Sequence, residues 1–142
     1  MNNNIGVAVV GTGFGEKIHI PGFQEHHKTQ VVAVYHRDLD KAKALAANYN
    51  IPQACDRLSD ILSLPEVSAV SISTPPFLHY EMAKLAIEAG KHILLEKPMT
   101  LTAVKARELY QLAAANGCME RMDFEFRFIP AGQLLAECLT EG

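Results

Sequence analysis

Glycines near the start of the chain have a spacing that suits the binding of a phosphate group. An apolar stretch is followed by the loop Gly11-Thr12-Gly13-Phe14-Gly15, and a segment of helical character comes next. In such loops the first glycine permits a tight turn, and the second lets backbone amides approach a pyrophosphate at the start of the helix. We therefore expect this loop to bind the pyrophosphate of a dinucleotide.

The loop departs from the full G-x-G-x-x-G pattern at its third glycine. Glu16 occupies that place, and Gly15 comes one residue early. The third glycine normally serves the packing of helix on strand, so its loss does not remove the phosphate-binding amides. Two alternatives stay open, a glycine turn without a ligand and the S-adenosylmethionine loop of a methyltransferase. The second is disfavoured because Val9 and Val10, rather than an acidic residue, precede the first glycine.

A second candidate site lies about 20 residues further on, where dinucleotide-binding domains often place an acidic residue that binds the ribose hydroxyls. His36 occupies the expected acidic position here, and Arg37 stands beside it, with Lys41 and Lys43 nearby. A missing acid with added cations favours the 2′-phosphate of NADP over the free hydroxyl of NAD. The alternative is a solvated basic turn. We expect Asp38 to cap the following helix rather than to bind ribose.

Two later segments place polar side chains beside prolines, each after an apolar run. The first is Ser73-Thr74-Pro75-Pro76-Phe77-Leu78-His79, and the second is Leu94-Leu95-Glu96-Lys97-Pro98. Together with the glycine loop, they resemble the Gfo/Idh/MocA (glucose–fructose oxidoreductase and inositol dehydrogenase) family. The resemblance extends from Ile5 through the helix after Pro130.

The resemblance implies roles for the matching positions. Gly11, Gly13 and Phe14 would line the pyrophosphate. Thr74, Pro75 and His79 would lie along the nicotinamide ribose and ring. With the loop and strand-end residues, the candidate cofactor-binding set is Gly11, Thr12, Gly13, Phe14, Gly15, His36, Arg37, Thr74, Pro75, Pro76, His79, Glu96 and Lys97.

Lys97 is the candidate catalytic residue, since the resemblance points it at the hydroxyl or carbonyl of a substrate. The Lys97–Pro98 bond looks like the family's cis bond. A lysine beside a positively charged nicotinamide ring can have a lowered pKa, and it could then move a proton or polarise a carbonyl. The ordinary alternatives are a solvated lysine at the end of a strand and, for His79, a histidine that packs locally.

The elements that must position these residues alternate between strand and helix. Four short apolar runs predict buried strands, at Ile5–Val10, Val31–Tyr35, Val67–Ser73 and Ile93–Leu95. Segments of helical period lie between them, including 39–49 and 59–64, with Gly90 and Gly117 as helix stops. This order predicts an α/β fold, a Rossmann-type doubly wound parallel sheet in three layers.

The last twenty residues change in character. The run 123–128 alternates polar and aromatic residues and predicts a strand, and Pro130 opens a helix with an apolar stripe. We expect 1–122 to form an NAD(P)-binding domain and 123–142 to be the last strand and first helix of a missing C-terminal substrate domain. The parent protein would then transfer hydride between a nicotinamide cofactor and a sugar, polyol or related substrate, and this chain alone would be inactive. The alternative is a non-catalytic dinucleotide-binding module or truncated remnant. The uncovered stripe would favour a homo-oligomer.

Composition narrows the class of protein. The net charge is −3 and hydrophobic residues make up 49%, which predicts neither a nucleic-acid-binding nor a membrane-binding surface. Three cysteines without a C-x-x-C pair indicate reduced thiols, and no histidine shows a metal-ligand spacing. With no secretory leader or bilayer-spanning run in view, we expect a cytoplasmic protein that holds no metal.

Overall fold

Parallel strands lie at the centre of the protein, in a computed structural model that describes residues 4–141. The start of the chain, on which the expectation of no secretory leader rests, lies largely outside those residues. The strands are β1 (Ile5–Val10), β2 (Thr29–Tyr35), β3 (Gln53–Cys55), β4 (Ala69–Ile72), β5 (His92–Glu96) and β6 (Glu120–Asp123). Their order in the sheet is β3-β2-β1-β4-β5-β6, and every neighbouring pair is parallel.

Helices cover both faces of this sheet. They are α1 (Ile20–Glu25), α2 (Leu39–Asn48), α3 (Leu58–Ser63), α4 (Pro76–Glu88), α5 (Ala103–Ala115) and α6 (Pro130–Glu141). A single π-helical turn, Gly15–His19, leads directly into α1, and a 3-10 helix, Glu125–Phe128, precedes α6. The predicted three-layer, doubly wound Rossmann fold is therefore confirmed.

Successive residues of β1 bury their side chains in two separate cores. Val7 and Val9 pack with α1 and α2 on one face, whereas Ala8 and Val10 pack with α3, α4 and α5 on the other. A strand buried on both faces reads as a continuous apolar run, which is why the sequence indicated it. Because the strand order reverses between β1 and β4, the carboxyl ends of these two strands border the crevice where such sheets bind ligands.

The prediction of a strand over 123–128 is wrong. The edge strand β6 lies earlier, at Glu120–Asp123, and the aromatic run that follows it forms the 3-10 helix. Strand β6 pairs with β5 up to Glu96, and the next stretch of that neighbour contains Pro98, which has no N–H to extend the ladder. Charges in β6 are tolerated because an edge strand leaves one side in solvent.

Helix α6 presents its apolar stripe to solvent. Leu134, Leu135 and Leu139 are each more than half exposed. In the described part of the chain, no helix is long and apolar enough to cross a membrane. The division into domains at 122/123 stays a prediction.

Candidate functional site

A cleft opens where β1, β2 and β4 end. It has a volume of about 650 Å³, within the usual range for small-molecule sites. Its lining comes from the glycine loop, from the end of β2 and from the β4–α4 connection. The lining residues are Gly11, Thr12, Gly13, Tyr35, His36, Arg37, Ser73, Thr74, Pro75, Phe77, Leu78 and Met82.

Each glycine of the loop meets a different constraint. Gly11 has a φ of 116°, and a Cβ there would stand 2.7 Å from the Ser73 carbonyl oxygen. Gly15 is buried, and a Cβ there would collide with the Ser73 hydroxyl and press on Val9. Gly15 thus serves the helix–strand packing expected of the third glycine, one residue early. Around Gly13 a Cβ would meet no protein atom within 4 Å, so the space beside this glycine is open to a ligand.

The end of β2 brings His36 and Arg37 to the same cleft. His36 Nδ1 accepts a hydrogen bond of 3.0 Å from the backbone N–H of Asp38, and Arg37 is exposed. The Asp38 carboxylate accepts from the backbone N–H groups of Asp40 and Lys41, which confirms Asp38 as the cap of α2. A carboxylate in that role is not directed at a ribose, and the cationic Arg37 is the charged side chain that lines this end of the cleft.

The β4–α4 connection supplies the opposite wall, but it does not expose His79. Thr74 and Pro75 line the cleft, while Pro76 begins α4 outside the lining. The His79 ring is fully buried, with Nε2 2.7 Å from the Thr74 carbonyl oxygen and Nδ1 2.9 Å from the Pro98 carbonyl oxygen. That His79 contacts a cofactor stays a prediction. In this structure its ring lies between the β4–α4 connection and the β5–α5 connection.

Lys97 directly follows β5 and lies between two carboxylates, and the peptide bond that joins it to Pro98 is cis, as expected. Its Nζ is 3.0 Å from Glu125 Oε1 and 3.5 Å from Glu96 Oε2, and it lies 5.7 Å from the centre of the Phe14 ring. The hydrogen bond with Glu125, followed by the charge of Glu96, raises the Lys97 pKa. A cation held by carboxylates loses its proton less readily. The expected lowering of the Lys97 pKa by a nicotinamide ring stays a prediction, and such a ring would act against the two carboxylates.

His19, a buried histidine that shares the Glu96 carboxylate with Lys97, carries no local motif that would predict a role for it. Its Nδ1 is 2.6 Å from Ser71 Oγ, and its Nε2 is 3.1 Å from Glu96 Oε1 and 3.5 Å from Asp123 Oδ2. Burial raises the Asp123 pKa. The three elements that meet here, the helix after β1 and the ends of β5 and β6, are distant in sequence, and no local spacing could have joined them.

Replacing Glu125 by glutamine should lower the Lys97 pKa toward its ordinary value, because the Glu125 hydrogen bond is the largest cause of the rise. The same bond lowers the Glu125 pKa, so its stabilising effect is present at neutral pH and is lost as the pH falls through the carboxyl range. Titration of Lys97 by carbon-13 NMR measures the first effect. Glu88→Gln, which removes an exposed partner of Lys84, is the matched control and should leave Lys97 unchanged. An unaltered Lys97 titration in the Glu125 variant would contradict this assignment.

Residues 5–124 match the model of the Gfo/Idh/MocA family, described as an oxidoreductase family with an NAD-binding Rossmann fold. Among curated proteins, an uncharacterised oxidoreductase of Synechocystis sp. is 54% identical over 139 residues, covering 98% of this chain and 38% of that protein. D-glucoside 3-dehydrogenase of Escherichia coli is 34% identical over 137 residues, covering 96% of this chain and 39% of that enzyme. The chain thus spans less than half the length of these relatives.

Solved structures give the same result. The 3-ketoreductase KijD10 of Actinomadura kijaniata, in complex with TDP-benzene and NADP, superposes with a TM-score of 0.93 at 30% identity, covering 99% of this chain and 44% of that one. GenD2 from gentamicin A biosynthesis, in complex with NAD, has a TM-score of 0.90 at 28% identity, covering 96% of this chain and 39% of that one. Similar proteins have therefore been crystallised with either nicotinamide cofactor.

Proposed function

The chain belongs to the Gfo/Idh/MocA family of NAD-binding oxidoreductases, and we propose that it binds NADP in the cleft between the glycine loop and the β4–α4 connection. The observation that carries the proposal is the open space at Gly13, where a side chain would meet no protein atom within 4 Å. Gly13 exposes its backbone on the wall of a cleft of about 650 Å³, which would let a pyrophosphate approach closely. The cofactor would then run from Arg37 at one end toward Lys97 at the other.

The choice of NADP over NAD rests on the end of β2. The side chains there that line the cleft are Tyr35, His36 and Arg37, and Asp38 is occupied as a helix cap. A guanidinium binds a phosphate through paired, charge-assisted hydrogen bonds, whereas the 2′-hydroxyl of NAD is best bound by a carboxylate. His36 is held against the Asp38 backbone and would leave Arg37 as the principal phosphate ligand.

At the other end, Lys97 is the proposed catalytic residue of the whole protein. The bound cofactor would supply or accept the hydride, and the protein would manage the proton that accompanies it. The Lys97 ammonium, held by Glu96 and Glu125, is a cation able to donate a hydrogen bond to a carbonyl or alkoxide oxygen. Entry of a substrate oxygen would compete with Glu125 for the same protons.

The substrate class and the activity of the parent protein are proposals drawn from the relatives. A D-glucoside 3-dehydrogenase and a 3-ketoreductase are among the similar proteins, which supports a sugar, polyol or related hydroxyl or carbonyl compound. Because the chain spans about two fifths of those proteins, we propose that it binds the dinucleotide but does not turn over substrate by itself.

We also propose a cytoplasmic location, with which the free cysteines are consistent.

Calorimetric titration of the chain with NADPH, NADH and S-adenosylmethionine tests the proposal. We expect saturable binding of NADPH, weaker binding of NADH and no binding of S-adenosylmethionine. Binding of neither nicotinamide cofactor would refute the proposed function, and binding of S-adenosylmethionine would favour methyl transfer.

Light scattering at rising protein concentration tests the proposed self-association through the exposed apolar face of α6. A molar mass that stays at the monomer value would exclude it.

A further inference from the structure

We propose that His19 is a positioning residue, which orients the Glu96 carboxylate and through it holds the Lys97 ammonium in place. This inference rests on the proposed function only for the statement that Lys97 lies at the nicotinamide end of the cofactor. The contacts that carry it belong to the chain alone.

The His19 ring is fixed on several sides. Its side chain is 2% exposed, its Nδ1 lies 2.6 Å from the hydroxyl of Ser71 on β4, and the rings of Phe14 and Phe23 meet it edge-on. Ser71 is itself fully buried in the middle of the sheet. The ring therefore has little freedom to turn, and its Nε2 points to one place, between the carboxylates of Glu96 and Asp123.

Glu96 uses its two oxygens for different partners. Oε1 lies 3.1 Å from His19 Nε2, while Oε2 accepts from the Lys97 backbone N–H at 3.1 Å and lies 3.5 Å from Lys97 Nζ. Carboxylate oxygens can only accept hydrogen bonds, so His19 Nε2 is the donor. The Glu96 carboxylate thus contacts both the buried His19 ring and the exposed Lys97 ammonium. The position of the ring therefore sets the position of the ammonium.

The alternative occupant of this cluster is a metal ion. The Nε2 atom of His19 and one oxygen each of Glu96 and Asp123 lie within 4.8 Å of one another. The distances from Nε2, 3.1 and 3.5 Å, are those of hydrogen-bonded and ion-paired groups, and Lys97 stands 3.5 Å from the same Glu96 carboxylate. Lys97 already supplies a positive charge at that carboxylate, so we assign the cluster to positioning.

Two substitutions of His19 separate positioning from packing. In His19→Gln the amide can reach the place of Nε2 and donate to Glu96, whereas in His19→Asn the shorter amide reaches only the place of Nδ1 and Ser71. We expect the Hε protons of Lys97 to give two separate NMR signals in the wild-type chain and in His19→Gln. In His19→Asn they should merge, because the ammonium samples several positions.

Binding supplies a second readout, which a general loss of packing would not produce. His19→Asn should weaken NADPH about tenfold, the effect of losing one charge-assisted hydrogen bond, and leave 2′-phospho-ADP-ribose, which lacks nicotinamide, unchanged. His19→Gln should restore NADPH. If His19→Asn does not fold, Ser71→Ala removes the opposite anchor of the ring and should produce a smaller change of the same kind.

Equal Lys97 signals in wild type, His19→Asn and Ser71→Ala would overturn the inference, as would equal weakening of NADPH and the nicotinamide-free fragment. Failure of the wild-type chain to bind either ligand would instead refute the proposed function. The Lys97 spectrum, recorded without cofactor, would still test the role of His19 in that case.

Discussion

Replacing Gly13 by alanine should abolish most of the affinity for NADPH while leaving the free energy of unfolding nearly unchanged. No protein atom lies within 4 Å of the new methyl group, and the φ of Gly13 is outside the left-handed region. We therefore expect a stability change within about 0.5 kcal/mol, as for an ordinary surface substitution. A pyrophosphate in contact with the loop would meet the methyl group directly, and a steric cost of about 1–3 kcal/mol weakens binding roughly 5-fold to 150-fold.

The neighbouring glycine provides the contrast. In Gly11→Ala the methyl group would meet the Ser73 backbone, and the φ of 116° is one that alanine rarely adopts. We expect a loss of about 2 kcal/mol or more in unfolding free energy, from strain and overpacking together. Urea denaturation and calorimetric titration of both variants measure the two effects. Normal NADPH affinity in Gly13→Ala would show that the ligand does not approach this loop.

Much of the fold could be predicted because the buried strands consist of short runs of apolar residues. Ile5–Val10 is such a run, and its burial on both faces follows from the helices on either side. The strand Gln53–Cys55 could not be predicted, because it has only three residues and begins with a polar one, so it forms no apolar run. The buried face of a helix is harder to predict than that of a strand, since the large side chains of Leu85 on α4 and Tyr110 on α5 are 49% and 63% exposed. Periodicity gives the angle between residues, while the packing partner decides which angle is buried.

The candidate site, like the fold, has a part that local sequence motifs predict and a part that they do not. Local motifs placed Gly11, Gly13, Arg37 and Thr74 on one cleft, because each follows the end of a strand and all those ends lie at one edge of the sheet. Contacts between distant segments could not be read in this way. His79 occurs in a recognisable motif, yet its two ring nitrogens lie within hydrogen-bond distance of the carbonyl oxygens of Thr74 and Pro98.

Lys97 shows the same limit in its chemistry. Its place at the end of β5 follows from the sequence, but the sign of its pKa shift depends on Glu125, which comes from another strand end. The predicted strand over 123–128 would have sent alternate side chains to opposite faces. The 3-10 helix instead brings Glu125 within 3.0 Å of the ammonium.

Replacing Arg37 by serine should remove the preference of the chain for NADPH over NADH. Arg37 is exposed and lines the cleft beside His36, where it would bind the 2′-phosphate. Hydrogen bonds to charged groups contribute about 1.5–3 kcal/mol, so NADPH should bind roughly tenfold to a hundredfold more weakly. NADH has no phosphate at that position, and its affinity should stay within about twofold of the wild-type value, a change well below that of one hydrogen bond.

The matched control for Arg37→Ser is Arg57→Ser. Arg57 is also an exposed arginine that precedes a helix, but it does not line the cleft, so its loss changes the net charge equally without touching the cofactor. Both variants should be titrated at low and high ionic strength. Salt weakens interactions between exposed charges, so the difference in NADPH affinity between wild type and Arg37→Ser should shrink as salt is added. An equal loss of NADPH and NADH affinity in Arg37→Ser would contradict the phosphate role, and an equal effect of Arg57→Ser would reduce it to net charge.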